Sequence, residues 1–136
     1  MKDLLYAKEQ LQFHKLCFVK DNAYYFCDKN GIQGLIDFIE NGRDLTHFSV
    51  ADTIVGKAAA LLYAYLGIKA VYANVLSKKA IPIFEKYNIY YEYNVLTEEI
   101  INRSKTDICP MEKAVLDIFD PKEAVDRIRK TLMRFK

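Results

Sequence analysis

The stretch Ser49-Val-Ala-Asp-Thr-Ile-Val-Gly-Lys-Ala-Ala-Ala-Leu-Leu-Tyr-Ala-Tyr-Leu-Gly67 decides how the chain is read. It reads as one helix. Ser49 suits the N-cap, and Asp52, three residues on, stands where a capping box puts its acid. Gly67 stands just past the end, where a left-handed residue is wanted. Val50, Ile54, Ala58, Leu61, Leu62 and Tyr65 recur at helical spacing. Val55, Ala59, Ala60 and Leu66 fill the other side, and a helix apolar nearly all round is normally buried. Gly56 and the three alanines trim bulk, so the backbone can lie close to a sheet. The charged groups, Asp52 and Lys57, fall in the first two turns. Amides and dipole at such an end favour an anion, so the start of this helix is the first candidate for a site.

A chain of 136 residues, 51% of them apolar, suits one domain, 1–136, with a real core. A net charge of +2 makes no electrostatic case for nucleic acid. The only basic cluster is the tail Arg127, Arg129, Lys130, Arg134 and Lys136, and such a stripe is ordinarily a solvated helix face. No apolar run approaches the roughly 20 residues of a membrane span, and the start of the chain lacks a secretory pattern. Cys17, Cys27 and Cys109 are too few and too scattered for a disulfide framework. A reduced, cytoplasmic setting is the expectation.

Asp3 to about Gln12 reads as a helix with Leu4, Leu5 and Leu11 inward. The runs Lys15–Lys20 and Ala23–Asp28, apolar on both faces and separated by Asp21-Asn22, read as a hairpin in a covered sheet. Ile32, Leu35, Ile36 and Ile39 form a helical stripe stopped by Asn41-Gly42. Ile68–Val75 and Ile89–Leu96 read as strands, the second nearer an edge. Ser77 caps the helix between them, which runs to about Tyr87. Thr97-Glu-Glu-Ile-Ile101 begins a short helix, Pro110 suits the first position of another, and Asp120-Pro121 repeats the device. The order is α-β-β-α-α-β-α-β and then C-terminal helices. Strand–helix–strand units with short loops imply parallel neighbours, hence a three-layer α/β sandwich whose mixed sheet begins with the hairpin.

Chemistry concentrates in a few places. Asp52 is a helix-capping acid or an acid–base carboxylate. Lys57 is a snorkelling stem or an anion's partner, with Thr53 one turn away. Ser77-Lys78-Lys79 follows a strand and opens a helix, the standard ligand position in an open α/β sheet, and its amides, hydroxyl and ammonium groups suit phosphate. No glycine-rich phosphate loop is present. Arg103 can take a carboxylate or phosphate in bidentate fashion or pair with Glu98 or Glu99. Cys109, before Pro110, is a small apolar residue at a turn or a nucleophile activated by a helix start, and Glu112 closes a capping box there. His14 and His47 lack partners at metal-ligand spacing.

The segments Ser49 to Leu62, Tyr72-Ala-Asn-Val-Leu-Ser77, Ile101-Asn-Arg103 and Cys109-Pro-Met-Glu-Lys-Ala-Val115 together resemble a small prokaryotic family of unknown function whose members adopt a cytidine-deaminase-like fold. The resemblance implies the fold and little about activity. Zinc deaminases place His-x-Glu at the start of the central helix and Pro-Cys-x-x-Cys at the start of the next. Here the first place reads Val50-Ala51-Asp52 and the second Leu76-Ser77-Lys78-Lys79-Ala80. All three zinc ligands are missing, and Asp52, near the place of the catalytic glutamate, has no metal-bound water to serve. Neither metal nor cofactor is expected. What the resemblance leaves is a crevice in which Ser49, Thr53, Lys57, Ser77, Lys78, Asn102, Arg103 and Glu112 bind a nucleotide-like or phosphate-bearing metabolite. The alternatives are an enzyme using Cys109 or Asp52, and a structural subunit of a homo-oligomer joined through Tyr90–Tyr93.

Overall fold

Gly56 divides the opening stretch in two. A computed structural model describes residues 2–29, 32–101 and 107–134. In it Ser49–Val55 is a strand, β3, and only Lys57–Leu66 is helical, α3. The single helix read from Ser49 to Gly67 is therefore corrected. Val50, Thr53, Ile54 and Val55 are β-branched and favour the strand. A short apolar run buried on both faces shows no periodicity that separates strand from helix. Gly56 is extended at φ −107°, ψ −169° and serves as the N-cap of α3, so Ser49 and Asp52 cap nothing. The far end is as expected: Gly67 is left-handed at φ 74°, and its N–H reaches the carbonyls of Tyr63 and Ala64.

The other elements in chain order are α1 (Lys2–Gln10), β1 (Leu16–Lys20), β2 (Ala23–Cys27), α2 (Gln33–Glu40), β4 (Ala70–Ser77), a 3-10 turn (Lys78–Ala80), α4 (Ile81–Lys86), β5 (Tyr90–Thr97), α5 (Pro110–Ala114) and α6 (Pro121–Arg134). The hairpin, the two later strands and the starts at Ser77, Pro110 and Asp120-Pro121 fall where the sequence puts them, although no side chain caps α5. No helix begins at Thr97: Ile101 instead forms an antiparallel bridge with Ile108.

The strands form one mixed sheet in the order β2-β1-β3-β4-β5. β1 is antiparallel to β2 and β3, whereas β3, β4 and β5 run parallel. The extra strand thus joins the hairpin to the parallel half, and β5 lies at an edge as expected. The two faces are unequal. On one, α1 is the only helix among the described residues that covers Cys17, Val19, Ala51, Ala70 and Tyr72. On the other, a much larger core joins β1, β3 and β4 to α2, α3 and α4, with α6 packed on α3. No helix among the described residues is long and apolar enough to cross a membrane.

Candidate functional site

The helix most buried in this fold begins where two parallel strands end. Lys57 to Leu66 has eight buried residues out of ten, Lys57 among them. Its first amides point at the carboxylate of Glu112 on α5. Lys57 N–H donates to Oε1 and Ala58 N–H to Oε2, each at 2.8 Å. The anion that a helix start favours is therefore supplied by the chain itself. Glu112 does not close a box on its own short helix; it caps a different one. Gly56 makes this possible, because a Cβ there would lie 2.2 Å from Glu112 Oε1 and 2.8 Å from Ile100 Cγ1. Burial pushes the Glu112 carboxyl above its ordinary value, against the amides of Ala58 and Lys57 and the ammonium groups of Lys79 and Lys57.

Lys57 is only 7% exposed. Its ammonium donates to the Leu116 carbonyl at 3.1 Å and lies 3.9 Å from the centre of the Phe119 ring. Burial lowers its pKa, opposed by Glu112 and Asp117. Ser77, fully buried, accepts from Lys79 N–H at 3.1 Å and donates to the Glu98 carbonyl at 3.2 Å. Lys78 pairs with Glu98 at 2.5 Å and Lys79 with Glu99 at 2.8 Å. The strand-to-helix cap expected at Ser77 is present, and its two lysines are already paired. Cys109 precedes α5, and its N–H donates to the Ile100 carbonyl at 2.9 Å. Ser77, Lys78 and Cys109 thus meet the segment of residues 98–101, and Ile100 and Glu112 both crowd Gly56 at the start of α3.

The remaining predicted site residues lie elsewhere. Ser49 is at the opposite end of β3, about 20 Å from Val55 at strand rise, and is buried beside Val19 and Ala70. Strand alternation sends Asp52 and Thr53 to opposite faces. Thr53 faces the α1 side and donates its hydroxyl to the Lys15 carbonyl at 2.9 Å. Asp52 faces α3 and accepts from the Tyr63 hydroxyl at 2.5 Å. Burial raises the Asp52 carboxyl to about 6, although the Tyr63 hydroxyl and the amides of Thr53 and Ile54 favour its charged form. Tyr63 is raised well above its ordinary value by burial and by Asp52, so it remains the donor. No hydrogen bond or ion pair joins Asp52 to Cys109 among the described residues, and Asn102 and Arg103 lie outside them. Tyr63 escaped the sequence reading because a helix spanning Asp52 and Tyr63 leaves them no reason to meet. A strand followed by a returning helix brings them together.

The place of the deaminase His-x-Glu also moves. The start of α3 reads Val55-Gly56-Lys57-Ala58, which again offers no zinc ligand. Among the described residues no three His, Cys, Asp or Glu side chains come together to hold a metal. Of the three free cysteines, Cys17 is buried in the sheet, and its thiol is pushed up to about 12.

A mixed five-stranded sheet with helices on both faces and a helix start closed by an internal carboxylate defines a three-layer α/β protein. The chain belongs to the family described as TM1506, a domain of unknown function (DUF1893), which matches residues 6–132. A solved structure of a DUF1893 family protein (TM1506) from Thermotoga maritima has a TM-score of 0.83 at 24% identity, covering 98% of this chain and 91% of that one. A dCMP deaminase from the cyanophage S-TIM5 overlaps with a TM-score of 0.46 at 13% identity, over 68% of this chain and 94% of that one. A diaminohydroxyphosphoribosylaminopyrimidine deaminase/5-amino-6-(5-phosphoribosylamino)uracil reductase from Thermotoga maritima has a TM-score of 0.45 at 15% identity, over 69% of this chain and 36% of that one. No curated protein matches the sequence.

Proposed function

We propose that this protein binds an anionic, nucleotide-like small molecule without a metal, at the start of α3, in exchange for Glu112. One observation carries the reading: the amides of Lys57 and Ala58 already hold a carboxylate, one oxygen each at 2.8 Å. A phosphate presents the same pair of oxygens. Burial favours the neutral form of Glu112, which binds those amides less well and eases its departure. The Lys57 ammonium is satisfied by a carbonyl and a ring rather than by a carboxylate, so it is ready for an incoming anion. Ser77 and Lys78 stand at the adjoining turn.

The test is native mass spectrometry of the purified protein, followed by amide chemical-shift titration with cytidine monophosphate. The reading expects saturable shifts at Lys57 and Ala58, and tighter binding by Glu112→Ala than by the wild type. Unmoved amides in both proteins would leave Glu112 a plain cap. A second reading, an assembly subunit, has one observation in its favour. The edge strand β5 leaves Tyr90, Tyr93 and Val95 exposed at 47%, 44% and 49%. A dimer in sedimentation that Tyr93→Lys breaks supports it; a monomer at every concentration sinks it.

A further inference from the structure

On the opposite face of the sheet, which α1 covers, a cleft of about 440 Å³ opens between α1 and the β3–β4 floor. That volume suits a small ligand. Its floor is Tyr72, Thr53 and Asn74, and its wall includes Leu5, Lys8 and Glu9. Tyr72 is only 7% exposed. Its hydroxyl has no hydrogen-bond partner among the described residues, yet no side-chain polar atom there is both sealed and unpaired, so the hydroxyl opens into the cleft. Tyr63, the other deeply buried tyrosine, commits its hydroxyl to Asp52. A hydroxyl that opens into a cleft with no protein partner can donate to a ligand in place of water.

The neighbouring groups define what would bind. Asn74 accepts from the Asn94 amide through Oδ1 at 3.2 Å, which leaves its own NH₂ to donate. Thr53 spends its proton on Lys15. Lys8 forms no ion pair among the described residues; its ammonium rests 4.9 Å from the centre of the Tyr72 ring. The lining thus offers donors at Tyr72, Asn74 and Lys8 beside acceptors at Glu9, Thr53 and Gln12; an aromatic ring forms part of the floor, and the one cation has no ion pair among the described residues. Glu9 on the rim brings the formal charge of the lining to zero, which disfavours a dianion such as phosphate.

We propose that this cleft is a second binding site, for a small planar heteroaromatic monocarboxylate. The carboxylate takes Lys8 and the Asn74 amide, and the ring nitrogen takes the Tyr72 hydroxyl. The site is independent of the start of α3, and neither reading needs the other.

The probe is nicotinate, titrated into the full chain and followed by amide chemical shifts, with nicotinamide and inorganic phosphate as comparisons. Nicotinate should give saturable shifts centred on Thr53, Tyr72 and Asn74. Removing one charge-assisted contact in Lys8→Gln should weaken it by about tenfold or more. Tyr72→Phe, which keeps the ring and its packing, should weaken it by about fivefold. Nicotinamide, with no charge for Lys8, should bind less tightly than nicotinate by about the factor lost in Lys8→Gln. Three results would overturn the proposal: no saturation at millimolar nicotinate, equal binding by Lys8→Gln and wild type, or inorganic phosphate shifting the same residues more tightly than nicotinate. Shifts confined to Lys57 and Ala58 would do so as well, while supporting the α3 site.

Discussion

At the residue scale, Asp52 carries the clearest consequence. A carboxyl between β3 and α3 is held by one tyrosine hydroxyl, and burial lifts it from 3.8 to about 6. The folded state therefore holds a proton that the unfolded chain releases earlier. Below the unfolded value both states are protonated and nothing is lost. Between about pH 4 and 6 the unfolded chain ionises first, so stability falls as pH rises, by on the order of 3 kcal/mol. Asp52→Asn keeps an acceptor for Tyr63 and cannot ionise. Its urea midpoint should lose much of that slope and should exceed the wild-type midpoint at pH 7. A variant with the wild-type slope would show that Asp52 does not titrate in this range. Glu112, raised in the same direction, leaves a residual slope of the same sign. Gly56 is the other sensitive residue. A Cβ 2.2 Å from Glu112 Oε1 and 2.5 Å from its Cδ expels the carboxylate from the amides. Gly56→Ala should cost about 2 kcal/mol.

At the scale of elements, α3 is held from outside its own sequence. Its N-cap Gly56 makes no side-chain cap bond, and the carboxylate that does the capping comes from α5. Glu112→Ala should therefore lower stability by about 2 kcal/mol, although Glu112 lies on a five-residue helix far along the chain. The double variant Gly56→Ala, Glu112→Ala should cost clearly less than the two single losses added, because both remove one contact. Full additivity in a denaturant series would break the link between them. The same element shows why the reading from sequence went part of the way. Leu61, Leu62, Leu66 and Gly67 mark a buried helix and its end, and both are where the sequence puts them. The start was misread because Ser49 and Asp52 mimic a capping box, and the β-branched run after them is too short to show a period of two. That error carried the site with it. The sequence reading puts Ser49, Asp52 and Thr53 at a helix start, whereas the strand spreads them along its length and over its two faces. The cap at Ser77 is read from local chemistry, which does not depend on the preceding segment, and Ser77 does accept from the Lys79 amide. That Glu112 serves α3 depends on contacts about 55 residues apart in the chain, and no local pattern announces those.

At the scale of the whole molecule, the two faces of the sheet differ in how firmly they are closed. Behind β3 and β4 on the α3 side, Val50, Val71, Leu61, Leu62 and Ile128 join one continuous core. On the α1 side only seven of the described residues are buried together, among them Leu4, Ala7 and Tyr72, and the cleft opens beside them. Free energies of local opening follow this kind of contrast. In native-state hydrogen exchange, the amides of α1 should exchange through a local opening that responds little to denaturant. Those of α3 and β4 should follow the global unfolding curve. Equal protection of α1 and α3 would mean that the thin face is no weaker than the deep one. The same measurement separates the two proposed sites. Saturating nicotinate bound against Lys8 and Tyr72 should slow exchange in α1, where opening must first release it. A ligand at Lys57 and Ala58 leaves α1 exchange as it was, because the global unfolding it opposes is not the route by which α1 opens.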